Sequence, residues 1–538
     1  MPPDSGVGFA PADWALFLIT GLLLLAAFAW HSPLQRAFFA LAERKRTCVM
    51  GLFLTPIVMR LLLLPYHPVP VADIYDEFSQ LLMADTLLHG RLANPPHALH
   101  QFFETFFVLQ QPTYSSMYPV GQGALLAFGR LISGVAWTGI LLATGSFCAA
   151  CYWMLRGWVT PGWALLGGLL TVAEFGPLCQ WTNSYWGGGS LAAAAGCLVF
   201  GALPRIRDYG RPRDALLLGV GFGAHVLTRQ FESVFLLIAI LLFLRKGVWR
   251  IARYAAVALI PVMLVILLQN RAVTHSWVTL PEALHRYQYG IPITLTIEPI
   301  PTPHVALTHE QAMDLRAESL QHGTDSIGRF CLRLAYRIRY YRFFFLPPLY
   351  VALVAFMWVC RRWWWLVATL AMFALGTNLF PYLLVHYLAG VAGLFVLMSV
   401  IGLQRLRGEV ALVLIVLCFG EFLGWYGLHL FERPELYSIL RYETWDSINH
   451  EGQARKRVAV NEQLAEIPGK VLVFVKYSER HIYQDEWVWN GADIDGQRVV
   501  FARDLGRDED ANLIQYYGGK RKVLVLEPDG IEPALSNY

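Results

Sequence analysis

Charge is scarce along this chain. Charged residues make up 15% of its 538 positions against 56% hydrophobic, and the mean hydropathy is +0.44. That balance excludes a large soluble enzyme and describes an integral membrane protein. A basic stripe is missing too. The net charge is only +4, and Lys and Arg punctuate the ends of apolar runs as in cytoplasmic loops, which argues against nucleic-acid binding. The eight cysteines stop short of the polar tail and supply neither a disulfide framework nor a paired metal pattern. Cys148 and Cys151 have CxxC spacing, but inside an apolar run that spacing is commonly packing. No basic segment precedes the first apolar run, 14–30, and no clear small-residue cleavage site ends it, so it is expected to remain as a span. The tail also lacks a glycine-rich phosphate loop.

Apolar runs are what the chain has in abundance, roughly twelve of them long enough to be read as crossings. The 18 Trp and 24 Tyr suit two extended membrane interfaces. Basic clusters at 44–46, 205–213, 245–250, 361–362 and 405–407 fall between alternate spans, which places them in the cytoplasm and both chain ends outside. The run 120–132 would invert every later cluster if it crossed. It is about thirteen residues long, short of the ~20 a membrane helix needs, so a juxtamembrane or re-entrant helix is expected there. The fold expected is mainly α: a polytopic helical membrane domain over 1–430, with outer loops at 66–118 and 270–342, and a small outer α/β domain over 431–538. In that last domain 470–476, 498–502 and 522–527 read as strands and 512–517 as a helix.

The loop 71–123 keeps the early polar chemistry. Asp73, Asp76 and Glu77 precede Phe78, Leu81, Leu82 and Leu88 at helical spacing, the pattern of an amphipathic helix on a membrane surface with acids in its first turn. An Asp73 N-cap and a helix dipole account for these acids. An ionisable cluster continuing through His89, Arg91, His97, His100 and Glu104 accounts for them equally well as catalytic or metal-binding groups. Elsewhere on the same face, the glycines of 183–189 permit either close ligand approach or close helix packing, and Arg229 with Glu232 reads as an ion pair or an anion contact. The loop 269–342 carries Arg286 and ends in a basic segment, 329–342, that sits awkwardly on an outer face. It suits an anionic lipid or a lipid-linked phosphate, or a solvated face. Asp485, Glu486, Asp493 and Asp495 read as solvated loop acids.

Three motifs, Asp76-Glu77-Phe78-Ser79-Gln80-Leu81, Tyr118-Pro119-Val120-Gly121-Gln122-Gly123 and His386-Tyr387-Leu388-Ala389, resemble the GT-C superfamily of polytopic glycosyltransferases. The likeness is to bacterial relatives of protein O-mannosyltransferases and of the lipid A aminoarabinose transferase. The resemblance implies a bacterial inner-membrane enzyme that takes a sugar from a polyprenyl-phosphate carrier and passes it, typically with inversion, to an envelope lipid, glycan or protein. It implies Asp76, with Glu77 beside it, as catalytic acids and Tyr118 at the edge of the donor groove; beyond the resemblance, Arg286, His386 and Arg229 are expected to contact the phosphate, and Asp73 and Tyr387 to join the substrate contacts. No carboxylate occupies 183–189, where many members carry a second acid, which leaves the use of a divalent metal open. The competing class is a transporter or lipid-handling scaffold. That class calls for interrupted helices, midplane charge and often internal repeats, of which this chain shows few signs.

Overall fold

The structure is a computed structural model, which describes residues 11–29, 31–244, 248–293, 295–322, 326–430 and 452–538. The chain is mainly helical. Among the described residues five helices are long and apolar enough to cross a membrane: Trp137–Leu155, Gly189–Tyr209, Ala252–Thr274, Val385–Leu403 and Gly408–Leu430. Counting each of two bent pairs as one span raises the number to seven. The expected total of about twelve is not reached because several apolar runs form shorter helices, such as Pro161–Phe175 and Pro212–Thr228, and Lys45–Leu62 carries Lys45, Arg46 and Arg60. The 120–132 run forms the 14-residue helix Val120–Ser133, which ends at a left-handed Gly134 and is not among the helices long enough to cross.

Close backbone approach holds the bundle together. A side chain on Gly196 would lie 1.9 Å from the carbonyl oxygen of Gly390, so the Gly189–Tyr209 helix packs directly on the 3-10 turn that carries His386 and Tyr387. Arg60, buried in Lys45–Leu62, ties this bundle to the loops above it. Its guanidinium donates to Asn183 Oδ1 at 2.6 Å and to the carbonyls of His67 and Pro68 at 2.9 and 3.0 Å. The 183–189 loop is thereby held against the segment leading into the acid-bearing helix.

That helix, Tyr75–Leu88, does not lie on a surface. Asp76, Glu77, Phe78, Ser79, Gln80, Leu82, Met83 and Ala84 are all buried, because the helix is wedged between Val120–Ser133 and the tail. Two-residue strands β1 (Val108–Leu109) and β2 (Ser115–Ser116) pair antiparallel beside it. Ser79 Oγ donates to Phe107 O at 2.7 Å and lies 2.8 Å from Ser116 Oγ.

Two arginines of the basic segment 329–342 have structural partners. The segment forms the helix Ile327–Tyr340, from which Arg333 donates to Asn378 O at 3.2 Å and Arg337 to the carbonyls of Phe380 and Tyr382, both at 2.9 Å. These guanidiniums satisfy carbonyls just past the end of Trp364–Thr377, the usual place for cations at a helix C-terminus.

The described tail is a small α/β unit. Strands β3 (Val471–Val475), β4 (Val499–Arg503), β5 (Lys522–Glu527) and β6 (Ala534–Asn537) lie in the order β4-β3-β5-β6, with β3 parallel to both neighbours and β6 antiparallel at the edge. The three expected strands are present. The expected helix begins earlier, as Arg507–Tyr516, while β6 and the helix Gly452–Glu466 had no anticipated counterpart. Residues 431–451, assigned from sequence to this domain, lie outside the described residues, as do Arg245 and Lys246 of one basic cluster.

The Gly196 contact predicts a fold-level result. Gly196→Ala forces backbone apart and is expected to destabilise by about 1–3 kcal/mol, read as a lower thermal midpoint in detergent. Gly427→Ala, with nothing within 4 Å of the added carbon, is expected to match or exceed the parent.

Candidate active site

Glu77 fixes the start of the acid-bearing helix. Its Oε2 accepts the backbone N–H of Asp73 at 2.8 Å and of Ile74 at 3.4 Å, while Oε1 accepts that of Tyr185 at 2.7 Å. One carboxylate therefore caps the first turn and anchors the 183–189 loop across it. Burial pushes its carboxyl up to about 7 against these three N–H groups, which favour the charged form. The residue before it on the helix, Asp76, points instead into a cleft of about 440 Å³.

Asp76 accepts a hydrogen bond at Oδ1 from the Tyr118 hydroxyl, and Trp186 lines the same cleft. Burial raises its carboxyl to about 6, with Tyr118, Trp186 and the more distant Arg229 pulling the other way. Trp186 is held in place by a glycine turn. Gly187 has φ +72° and a side chain there would strike the His386 ring at 2.4 Å, while one at Gly188 would meet Thr228 at 2.4 Å. The Trp186 and His386 rings meet edge to face at 4.9 Å. Close packing, the second of the two explanations for these glycines, is what the loop uses.

Arg229 enters from the turn between Pro212–Thr228 and Gln230–Leu244. It pairs with buried Glu232 and lies over the Tyr387 ring at 4.5 Å, so the ion pair forms. The far wall belongs to the helix His309–His322, which contributes Asp314 and Glu318. Burial and the Asp76 charge raise Asp314 to about 7, and burial followed by Asp314 raises Glu318 to about 8. Glu318 accepts Ile293 N–H at 2.5 Å, whereas Asp314 is 3% exposed with Oδ2 unpartnered among the described residues. Glu282, from Pro281–Tyr289, completes an acidic lining and is itself raised by burial.

The structure thus brings Asp76, Tyr118, Arg229, His386 and Tyr387 to one cleft. It does not bring Asp73, Glu77 or Arg286. Asp73 contributes a backbone N–H and is not the N-cap, a position taken by Ile74. Glu77 spends both oxygens on backbone, and Arg286 stands one turn beyond Glu282, outside the lining. His97 and His100 are also elsewhere, at 3.3 Å from Asp495 and 3.5 Å from Glu104. Sequence reasoning passed over Asp314, Glu318, Glu282 and Trp186. The first two share a helix face at four-residue spacing, a signal available in the probable helix near 308–322. Among the described residues no three His, Cys, Asp or Glu are arranged to hold a metal ion.

No family model and no curated protein matches the chain. Among solved structures it is similar to ArnT from Cupriavidus metallidurans in the apo state, at 12% identity and TM-score 0.48, covering 89% of this chain and 93% of that one. It is similar to the same protein bound to undecaprenyl phosphate at 11% identity and TM-score 0.46, with the same coverages. The archaeal oligosaccharyltransferase AglB from Archaeoglobus fulgidus, in complex with an inhibitory peptide and a dolichol-phosphate, follows at 9% identity and TM-score 0.37, covering 90% and 70%. Likeness at this level assigns no residue a role.

The raised Asp76 carboxyl gives stability a definite pH dependence. The ordinary value is 3.8 and the folded value about 6, so the native state holds the proton more tightly. That stabilisation is complete below the unfolded value and is lost as pH rises through about 6, leaving a charged, buried carboxylate that costs up to about 3 kcal/mol. Asp76→Asn is therefore expected to unfold at a higher temperature than the parent at pH 8 and at the same temperature near pH 4. A variant less stable at pH 8 would contradict the assignment.

Proposed function

We propose that the chain is a multi-pass inner-membrane glycosyltransferase that moves a sugar from a polyprenyl-phosphate carrier to an envelope acceptor, with its cleft on the outer face. One observation carries the proposal. Asp76, in the first of the three GT-C-like motifs, is buried in a sizeable cleft and hydrogen-bonded by Tyr118 from the second, while His386 and Tyr387 from the third line the same space.

In this scheme Asp76 takes the proton of an acceptor hydroxyl as that oxygen bonds to the anomeric carbon and the bond to the phosphate oxygen breaks. The Tyr118 hydroxyl orients the carboxylate and keeps it available as a base. Glu77 is a positioning residue. The departing phosphate needs cations, and the acidic cleft offers one arginine, already paired with Glu232. Trp186 and Leu384 also form part of a second cavity of about 430 Å³ to which Arg339, Arg342, Tyr336 and Tyr340 contribute. We assign the carrier phosphate to that side, with His386 at the junction, and the acceptor to the acidic side.

Purified protein given a polyprenyl-phosphate sugar with lipid or glycan acceptors tests the scheme. Transfer is expected to rise with pH through about 6, and Asp76→Asn, which keeps the shape but takes no proton, is expected to lose roughly 100-fold or more of kcat. Transfer undiminished in that variant removes the proposed base.

A further inference from the structure

The α/β tail begins some 370 residues after Asp76 by number, yet Tyr483 and Gln484 from its loop line the same cleft. The loop is firmly held. Glu486 accepts the Thr105 hydroxyl at 2.5 Å, the Tyr477 hydroxyl at 2.7 Å and Val488 N–H at 2.8 Å. Trp489 Nε1 donates to Phe78 O at 3.0 Å, Ala492 N to Asp85 Oδ2 at 2.8 Å, and the Tyr114 hydroxyl to Asn490 O at 2.9 Å. The Arg457 guanidinium is sandwiched over the Phe78 and Trp487 rings at 4.6 and 4.4 Å. Phe78 and Asp85 belong to the helix that carries Asp76.

The same unit also grips the opposite wall. Arg503, at the end of β4, forms a buried ion pair with Glu310. Glu310 stands in the first turn of His309–His322, and Asp314 and Glu318 follow it at four-residue steps on one face. A single small domain therefore holds both helices whose carboxylates face each other, and presents a half-buried tyrosine beside Phe106 at the rim.

We propose that the C-terminal α/β unit is the acceptor-reading half of the cleft, in which Tyr483 and Gln484 contact the acceptor and Arg503, through Glu310, is a positioning residue that sets the Asp314–Glu318 wall opposite Asp76. The contact chemistry is an aromatic ring, the carboxamides of Gln484 and Gln321, and the unpartnered Asp314 Oδ2 as an acceptor for a ligand donor. That set suits a polyhydroxylated ring, so the acceptor is a glycan or the sugar head of a glycolipid. The acceptor assignment rests on the transferase reading; the positioning role of Arg503 does not.

Two measurements on the full chain in lipid nanodiscs separate these. The first is carbodiimide coupling of glycine ethyl ester to carboxyl groups, mapped by mass spectrometry. Arg503→Met and Glu310→Gln, which break the same pair from opposite sides, are each expected to increase modification of Asp314 and Glu318 several-fold, with Arg503→Lys near the parent. Parent-level modification in both breaking variants overturns the positioning role whether or not the protein transfers sugar. The second is steady-state kinetics with a polyprenyl-phosphate hexose as donor and lipid A as acceptor, a hydroxyl-bearing peptide replacing it in a parallel arm. Tyr483→Ala is expected to raise the KM for lipid A by about tenfold while the donor KM holds. An unchanged acceptor KM, or transfer to the peptide alone, overturns the acceptor assignment. A parent that transfers to neither, while the labelling shifts as expected, defeats the transferase reading and the acceptor assignment together and leaves the Arg503 clamp standing.

Discussion

The site depends on a carboxylate that does no chemistry. Glu77 accepts three backbone N–H groups from two separate segments, and through them it sets where the acid-bearing helix begins and where the 183–189 loop crosses it. Both consequences meet at Asp76. The helix start determines which way Asp76 faces, and the loop delivers Trp186 to the cleft it faces. A buried acid that accepts three backbone N–H groups through both oxygens is costly to replace, since an amide keeps one acceptor oxygen and an alkyl group keeps none.

Behind that anchor the cleft is a balance of like charges. Asp76 raises the proton affinity of Asp314, and both raise that of Glu318, on top of what burial does, and the nearby arginine is occupied by Glu232. All three carboxyls are pushed up by burial, and the like charges beside Asp314 and Glu318 add to it there, so Asp76 gives up its proton most readily of the three. That order follows from depth and proximity, with no need for distinct residue types.

Much of this was legible in the residues. Asp76, Tyr118 and His386 were recoverable because each lies in a short motif next to a hydrophobic run, and the three strands of the tail show as β-branched apolar runs. Charge roles were less legible, because they turn on burial. Glu77 looked like a twin of Asp76 but sits on the other side of the helix, and Asp485 and Glu486 looked solvated yet are buried at a docking surface. Arg333 and Arg337 looked like a lipid-facing patch, whereas their partners are carbonyls some 45 residues away in sequence. Apolar runs mark where helices pack but do not number the crossings, because a run such as Pro161–Phe175 is apolar and largely buried yet shorter than a full span.

The tail is where local reading stops and long-range packing decides. Two helices whose acids line one cleft keep their spacing only through what packs on them, and neither is continuous with a membrane-spanning helix. Part of that hold comes from outside the bundle. Arg503 on Glu310, from the end of β4, and Arg457 on Phe78, from the helix Gly452–Glu466, supply it, with the cationic groups behind the walls, leaving the space between them free. Placing those arginines inside the cleft would pair them with the acids and lower their proton affinities; placing them behind keeps the walls together and leaves those affinities high.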